Sequence, residues 1–162
     1  MVLGYRSAKK VKRDSNTLVI PTIISSKGID LIKHFEGLRL QSYYCSSHVL
    51  TIGYGSTGSH VKEGMRITEA EAEQLLISDL SRFENAVSEL IKVPLTQNEF
   101  DATVSFAFNC GITALGASTF RKRINAGENK ASVFRTEFPR WDNQGLAGLV
   151  RRRAAEVDLA LS

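Results

Sequence analysis

Three side chains in one short stretch have the types and spacing to act on a bond together. Glu36 stands where an apolar helical pattern stops, Cys45 follows nine residues on, and Thr51 fifteen residues on. A carboxyl group at a rigid helix end can hand a proton to a leaving oxygen. A glutamate in a partly dry cleft holds its proton to higher pH than one in water, which suits a general acid. Cleavage of a glycosidic bond also needs a second group across the sugar, to steady the cationic transition state, guide water or attack directly.

The elements that position these groups follow from periodicity. Ile29, Ile32 and Phe35 recur at helical spacing from Gly28 to about Glu36. Gly37 comes next and can take the positive φ that ends a helix. From Leu38 to about Val61, β-branched and aromatic residues alternate with Gly and Ser, which predicts a small hairpin sheet. Thr68 and Glu71 have capping-box spacing. They open an apolar stripe through Ala72, Leu75, Leu76, Leu80, Phe83, Val87 and Leu90, with no Gly or Pro, so one long helix is expected.

Pro94 stops that pattern. Thr96 and Glu99 form a second capping box, before a helix running through Phe100, Val104, Phe106 and Phe108 to Gly111. Shorter helices are expected near Ser118–Ala126 and Asn129–Trp141, and a last one from about Leu146 to Leu161. The fold class is α+β with two lobes. Residues 1–27 form an N-terminal arm and 28–160 a single domain. Within it lie a β lobe (about 38–64), a linking helix (about 68–91) and a helical lobe (about 95–160), with a cleft between the lobes.

Composition narrows the function. The chain has 162 residues, enough to fold without a metal or disulfide staple. A net charge of +4 favours an anionic partner: nucleic acid, a membrane surface or a bacterial wall. Two cysteines, Cys45 and Cys110, are too few for a disulfide framework and point to a reducing birthplace. Lys9, Lys10, Lys12 and Arg13 precede the apolar run Leu18–Ile24. That run is short and holds Pro21 and Thr22, so it reads as a packing segment and not as a leader or a membrane span.

The stretch EGLRLQSYYCSSHVLTIGYGST, residues 36–57, resembles the active-site hairpin of phage lysozymes in glycoside hydrolase family 24, whose pattern is E-G-x-R-L, then Y-x-D, then T-I-G-Y-G-H-T. The likeness continues through GMRITEAEAEQLL, VPLTQNEFDATVSFAFNCG, STFRKRINAG, FPRW and GLVRRRAAE, covering about residues 28–160. It implies a lysozyme-like fold and muramidase activity: hydrolysis of the β-1,4 bond between N-acetylmuramic acid and N-acetylglucosamine in peptidoglycan. It further implies a monomer with no cofactor and no metal, made in the host cytoplasm and acting on the wall after release, without nucleic acid or membrane insertion.

Carried over residue by residue, Glu36 matches the family's general acid and Thr51 its third catalytic residue. Cys45 stands where most members have aspartate, although some endolysins similar to this family carry Glu, Cys and Thr at the three positions. A neutral thiol gives less electrostatic help than a carboxylate, whereas a thiolate fraction is strongly nucleophilic. Ser56 replaces a histidine that is chiefly structural in the family. Thr57, Phe108 and Thr119 fall near family sugar contacts. The segment between Trp141 and Gly148 is shorter than usual. One arginine of Arg151–Arg153 is expected to approach Glu36, and the spacing does not say which.

Gly53, Gly55 and Gly58 match a dinucleotide-binding spacing, but no helix start follows them to receive a pyrophosphate. Cys45, His48 and His60 match no zinc spacing and lack a fourth ligand. The basic residues lack a recognisable nucleic-acid module. His34 is expected on an exposed face of the first helix. A wall-binding protein without turnover is the more serious rival, because it would keep the cleft and the charge.

Overall fold

The computed structural model describes residues 19–162, so most of the predicted arm lies outside the described residues. Helix α1 spans Ser26–Glu36, followed by strands β1 (Arg39–Tyr44), β2 (Leu50–Gly53) and β3 (Ser56–Thr57). Helices α2 (Glu69–Leu90), α3 (Gln97–Cys110), α4 (Ile112–Ala117), α5 (Thr119–Asn125) and α6 (Lys130–Glu137) come next. A 3-10 turn over Phe138–Trp141 leads to α7 (Ala147–Ala160).

The sheet is antiparallel, in the order β1-β2-β3. Its register pairs Tyr43 with Thr51 and Thr51 with Thr57, and a bulge interrupts β1 between Arg39 and Tyr43. Directly opposed residues of an antiparallel ladder share a face, so Tyr43, Thr51 and Thr57 form one cross-strand row.

Both capping boxes are formed. The Thr68 and Thr96 hydroxyls accept from the N–H groups of Glu71 and Glu99, while those glutamates reach back to the threonine N–H groups. Helix α3 is the centre of the helical lobe. Every residue from Glu99 to Ala107 is buried, and Phe106 stacks on Phe138 and meets Trp141 edge-on. Phe120, Phe134 and Phe138 pack edge-to-face at centroid distances of 4.8–5.0 Å and close the lobe from the other side.

Helix α1 belongs to this lobe although the β strands separate it in sequence, because it packs on α3 and α7. Its N-cap, Ser25, directs its side chain away from the helix. The Ser25 N–H donates to Asp101 Oδ1 at 3.0 Å and its hydroxyl to Asp101 Oδ2. Ile24 donates its N–H to Glu84 Oε1 at 3.0 Å. Two carboxylates from α2 and α3 thus fix the entry to the helix that ends in Glu36. Two features depart from the periodicity reading: α1 begins two residues before Gly28, and α4 occupies a stretch to which periodicity assigns no element.

Candidate active site

Gly37, at φ +71°, ends α1 and leaves Glu36 in its final turn, facing the sheet. The carboxyl group is held unevenly. Oε1 accepts from Arg152 Nη1 at 2.5 Å. Oε2 lies toward Gly55, where the Cβ of any larger residue would come within 3.7 Å of it. Gly55, at φ +93°, turns β2 into β3 and keeps that approach open.

Arg152 is anchored from behind. Its side chain is 4 % exposed, and Nε donates to Glu156 Oε1 at 3.3 Å. Glu156 also accepts from Arg153 and from the Ser105 hydroxyl. Arg153, itself buried, donates Nη2 to Asn109 Oδ1 at 2.9 Å and Nη1 to Cys110 Sγ at 2.7 Å. Arg151 is exposed. Of the three arginines, the middle one therefore reaches Glu36, and its neighbour secures the end of α3. Burial pushes the Glu156 carboxyl above its usual range, and the two guanidinium groups pull it back.

Glu36 lies at the junction of two grooves. One, of about 620 Å³, is lined by Glu36, Gly55 and Thr57, by Phe108 and Asn109, and by a polar face of α2 running from Ser78 to Asn85. The other, of about 420 Å³, lies between the end of α1 and the start of α7, with exposed Leu146 on its wall. His34, exposed on α1, borders this second groove.

The residues singled out from sequence fall into three groups. Glu36, Thr57 and Phe108 line the same cleft. Thr51 is buried one strand behind Thr57, its hydroxyl donating to the Val49 carbonyl at 2.9 Å, and Cys45 lies beside it. The N–H groups of Val49 and Ser47, with the Thr51 hydroxyl, draw the Cys45 thiol below its ordinary value. Thr119 is exposed at the first position of α5 and lines neither groove.

The remaining motifs have structural partners. Ser56 is buried, and its hydroxyl lies 3.1 Å from His60 Nε2, so an imidazole supplied four residues later meets this position. His48 stacks on Tyr44. Gly53, Gly55 and Gly58 all have positive φ and shape the hairpin turns. Sequence reasoning passed over Asn109, Ser78, Asp79 and Arg82, all of which line the cleft.

A family model described as phage lysozyme matches residues 33–156. The chain belongs to the phage lysozyme family. It is similar to the endolysin of Bacillus phage PZA, at 44 % identity over 141 residues, covering 84 % of this chain and 54 % of that protein. The chain thus spans about half the length of that relative. Among solved structures it resembles the muramidase domain of SpmX from Asticaccaulis excentricus, at 42 % identity and TM-score 0.76, with 86 % of this chain and 97 % of that one covered. It also resembles a mutant of P22 lysozyme, at 39 % identity and TM-score 0.79, with 86 % and 99 % covered. Phage lysozymes thus share this helix-rich fold with its small three-stranded sheet.

Proposed function

We propose that this chain is a lysozyme that hydrolyses the β-1,4 bond between N-acetylmuramic acid and N-acetylglucosamine in peptidoglycan. The observation that carries this reading is the uneven grip on Glu36: Arg152 takes one oxygen, while the other lies toward Gly55 at the edge of a cleft of about 620 Å³. A carboxyl group positioned this way has one oxygen free to deliver a proton to a glycosidic oxygen.

In the reaction, the proton of Glu36 goes to the leaving oxygen as its bond to the anomeric carbon breaks. A hydroxyl from water joins that carbon, and the remaining proton of the water restores the carboxylic acid. Thr51 and Cys45 attend to the opposite face. Cys45 either guides the water, which inverts the anomer, or attacks carbon as thiolate, after which water displaces the sulfur, the thiolate leaves and the anomer is retained. The positive net charge favours the anionic wall. Among the described residues no helix is long and apolar enough to cross a membrane. The chain works as a monomer without cofactor, metal or nucleic acid. It is made in the host cytoplasm and reaches the wall after release.

Turbidity of a bacterial suspension tests the reading. The wild type is expected to clear the cells and Glu36→Gln to lose clearing. Binding without clearing by the wild type would establish the wall-binding rival. NMR of freshly released sugar separates the two routes for Cys45, and an inverted anomer discards the nucleophile.

A further inference from the structure

The cleft contains two carboxylates, not one. Among the described residues, the only acidic side chain lining it besides Glu36 is Asp79, on the face of α2 that forms the cleft floor. We infer that Asp79 is a further catalytic residue, whose negative charge offsets the positive charge that builds at the anomeric carbon. The inference rests on the hydrolase reading above.

Its placement follows from helix geometry. Ala72 lies beneath the β lobe, where a Cβ on Gly53 would touch it at 3.4 Å. Phe83 meets Phe108 edge-on at 5.2 Å in the helical lobe. Asp79 is seven residues beyond Ala72, almost two full turns and about 10 Å along the axis, and so on nearly the same face. It therefore sits on the stretch of α2 between the two lobes, lining the same cleft as Glu36.

Its charge is uncommitted. Among the described residues no salt bridge engages Asp79. The nearest candidate in sequence is Arg82, three residues on and facing the same cleft, at a spacing that commonly pairs on a helix. Arg82 lies instead over the ring of Phe83, 4.7 Å from its centroid. The carboxylate is left to the cleft. The need for it follows from position 45, where a thiol stands in place of a third carboxyl group and supplies no full negative charge while protonated. Asp79 meets that need from α2, at a polar position beside the helix's apolar stripe.

The test compares wild type, Glu36→Gln, Asp79→Asn and Asp79→Glu on soluble peptidoglycan glycan strands, with kcat and KM read well below every melting transition. Asp79→Asn keeps the shape and removes the charge, so kcat is expected to fall about tenfold or more with KM little changed. Asp79→Glu is expected to recover much of kcat. An Asp79→Asn enzyme with kcat within about twofold of wild type, or one altered in KM alone, overturns the inference. So does an Asp79→Glu enzyme as slow as Asp79→Asn, because packing and not charge would then be at stake. A wild type without turnover, or a fully active Glu36→Gln, would instead overturn the hydrolase reading.

Discussion

Glu36 and Arg152, 116 positions apart in sequence, meet in an ion pair of 2.5 Å that joins the end of α1 to the interior of α7. The arginine is nearly buried and has its own counter-ion in Glu156, so the Glu36 carboxyl group is held by a chain of charge that runs into the core.

Breaking that chain at Arg152 should cost both stability and rate. Arg152→Ala strands Glu156 among buried groups with one cation fewer, a change typically worth about 3–5 kcal/mol. Arg152→Lys keeps the charge but cannot span both carboxylates with a planar fork, so its loss should be intermediate. Urea unfolding at pH 7 and cell clearing of the two variants give the ranking, and an alanine variant as stable as wild type would refute it.

The two cysteines should differ in reactivity. N–H groups of Val49 and Ser47 and the Thr51 hydroxyl lower the Cys45 thiol, whereas burial raises Cys110 against the opposing charge of Arg153. The thiolate is the reactive form, so Cys45 should alkylate at lower pH than Cys110. Peptide mass spectrometry after brief iodoacetamide pulses across pH 6 to 9 measures both. Coincident titration would contradict the assignment.

Glu84 gives a pH-dependent stability of the less common sign. Burial raises its carboxyl and the nearby Asp101 adds to the rise, while the Ile24 N–H pulls the other way. A raised value in the folded protein favours folding while the proton is bound. That contribution is complete below the ordinary glutamate range and is lost as pH climbs through the folded value. Glu84→Gln keeps an oxygen for Ile24 and does not titrate. Wild type should therefore lose melting temperature relative to Glu84→Gln as pH rises above about 4, and parallel curves would exclude the effect.

Gly28→Ala should destabilise although it removes a helical glycine. An added Cβ would lie 2.5 Å from Ile24 Cγ1 and 2.8 Å from Asp101 Cβ, neither of them the free end of a flexible chain. The gain in helix propensity is at most about 1 kcal/mol, and overpacking costs about 1–3 kcal/mol. Chemical denaturation decides the sign, and a more stable variant would show that α1 can shift away from α3.

Much of this arrangement is readable before folding is considered. Thr68 with Glu71 and Thr96 with Glu99 announce two helix starts, because a capping box is a local exchange of hydrogen bonds. The position of Glu36 at a helix end follows from Ile29, Ile32 and Phe35 together with Gly37. Arg152 could not be told from Arg151 or Arg153, since the choice depends on which face of α7 meets α3, a tertiary matter. Ser78, Asp79 and Arg82 escaped notice for a related reason: the cleft floor they form is polar, and a polar helix face looks the same whether it meets bulk water or a cleft. Helix α4 was missed because its six residues carry too little periodicity to register.

The clamp on Glu36 also orders events in time. A ribosome releases the hairpin, with Cys45 and Thr51, long before it releases α7. Until α7 emerges, Glu36 has no arginine to seat it, and α1 lacks one of the helices it rests on. A nascent chain that stops short of α7 therefore carries Glu36 without the guanidinium that fixes its orientation.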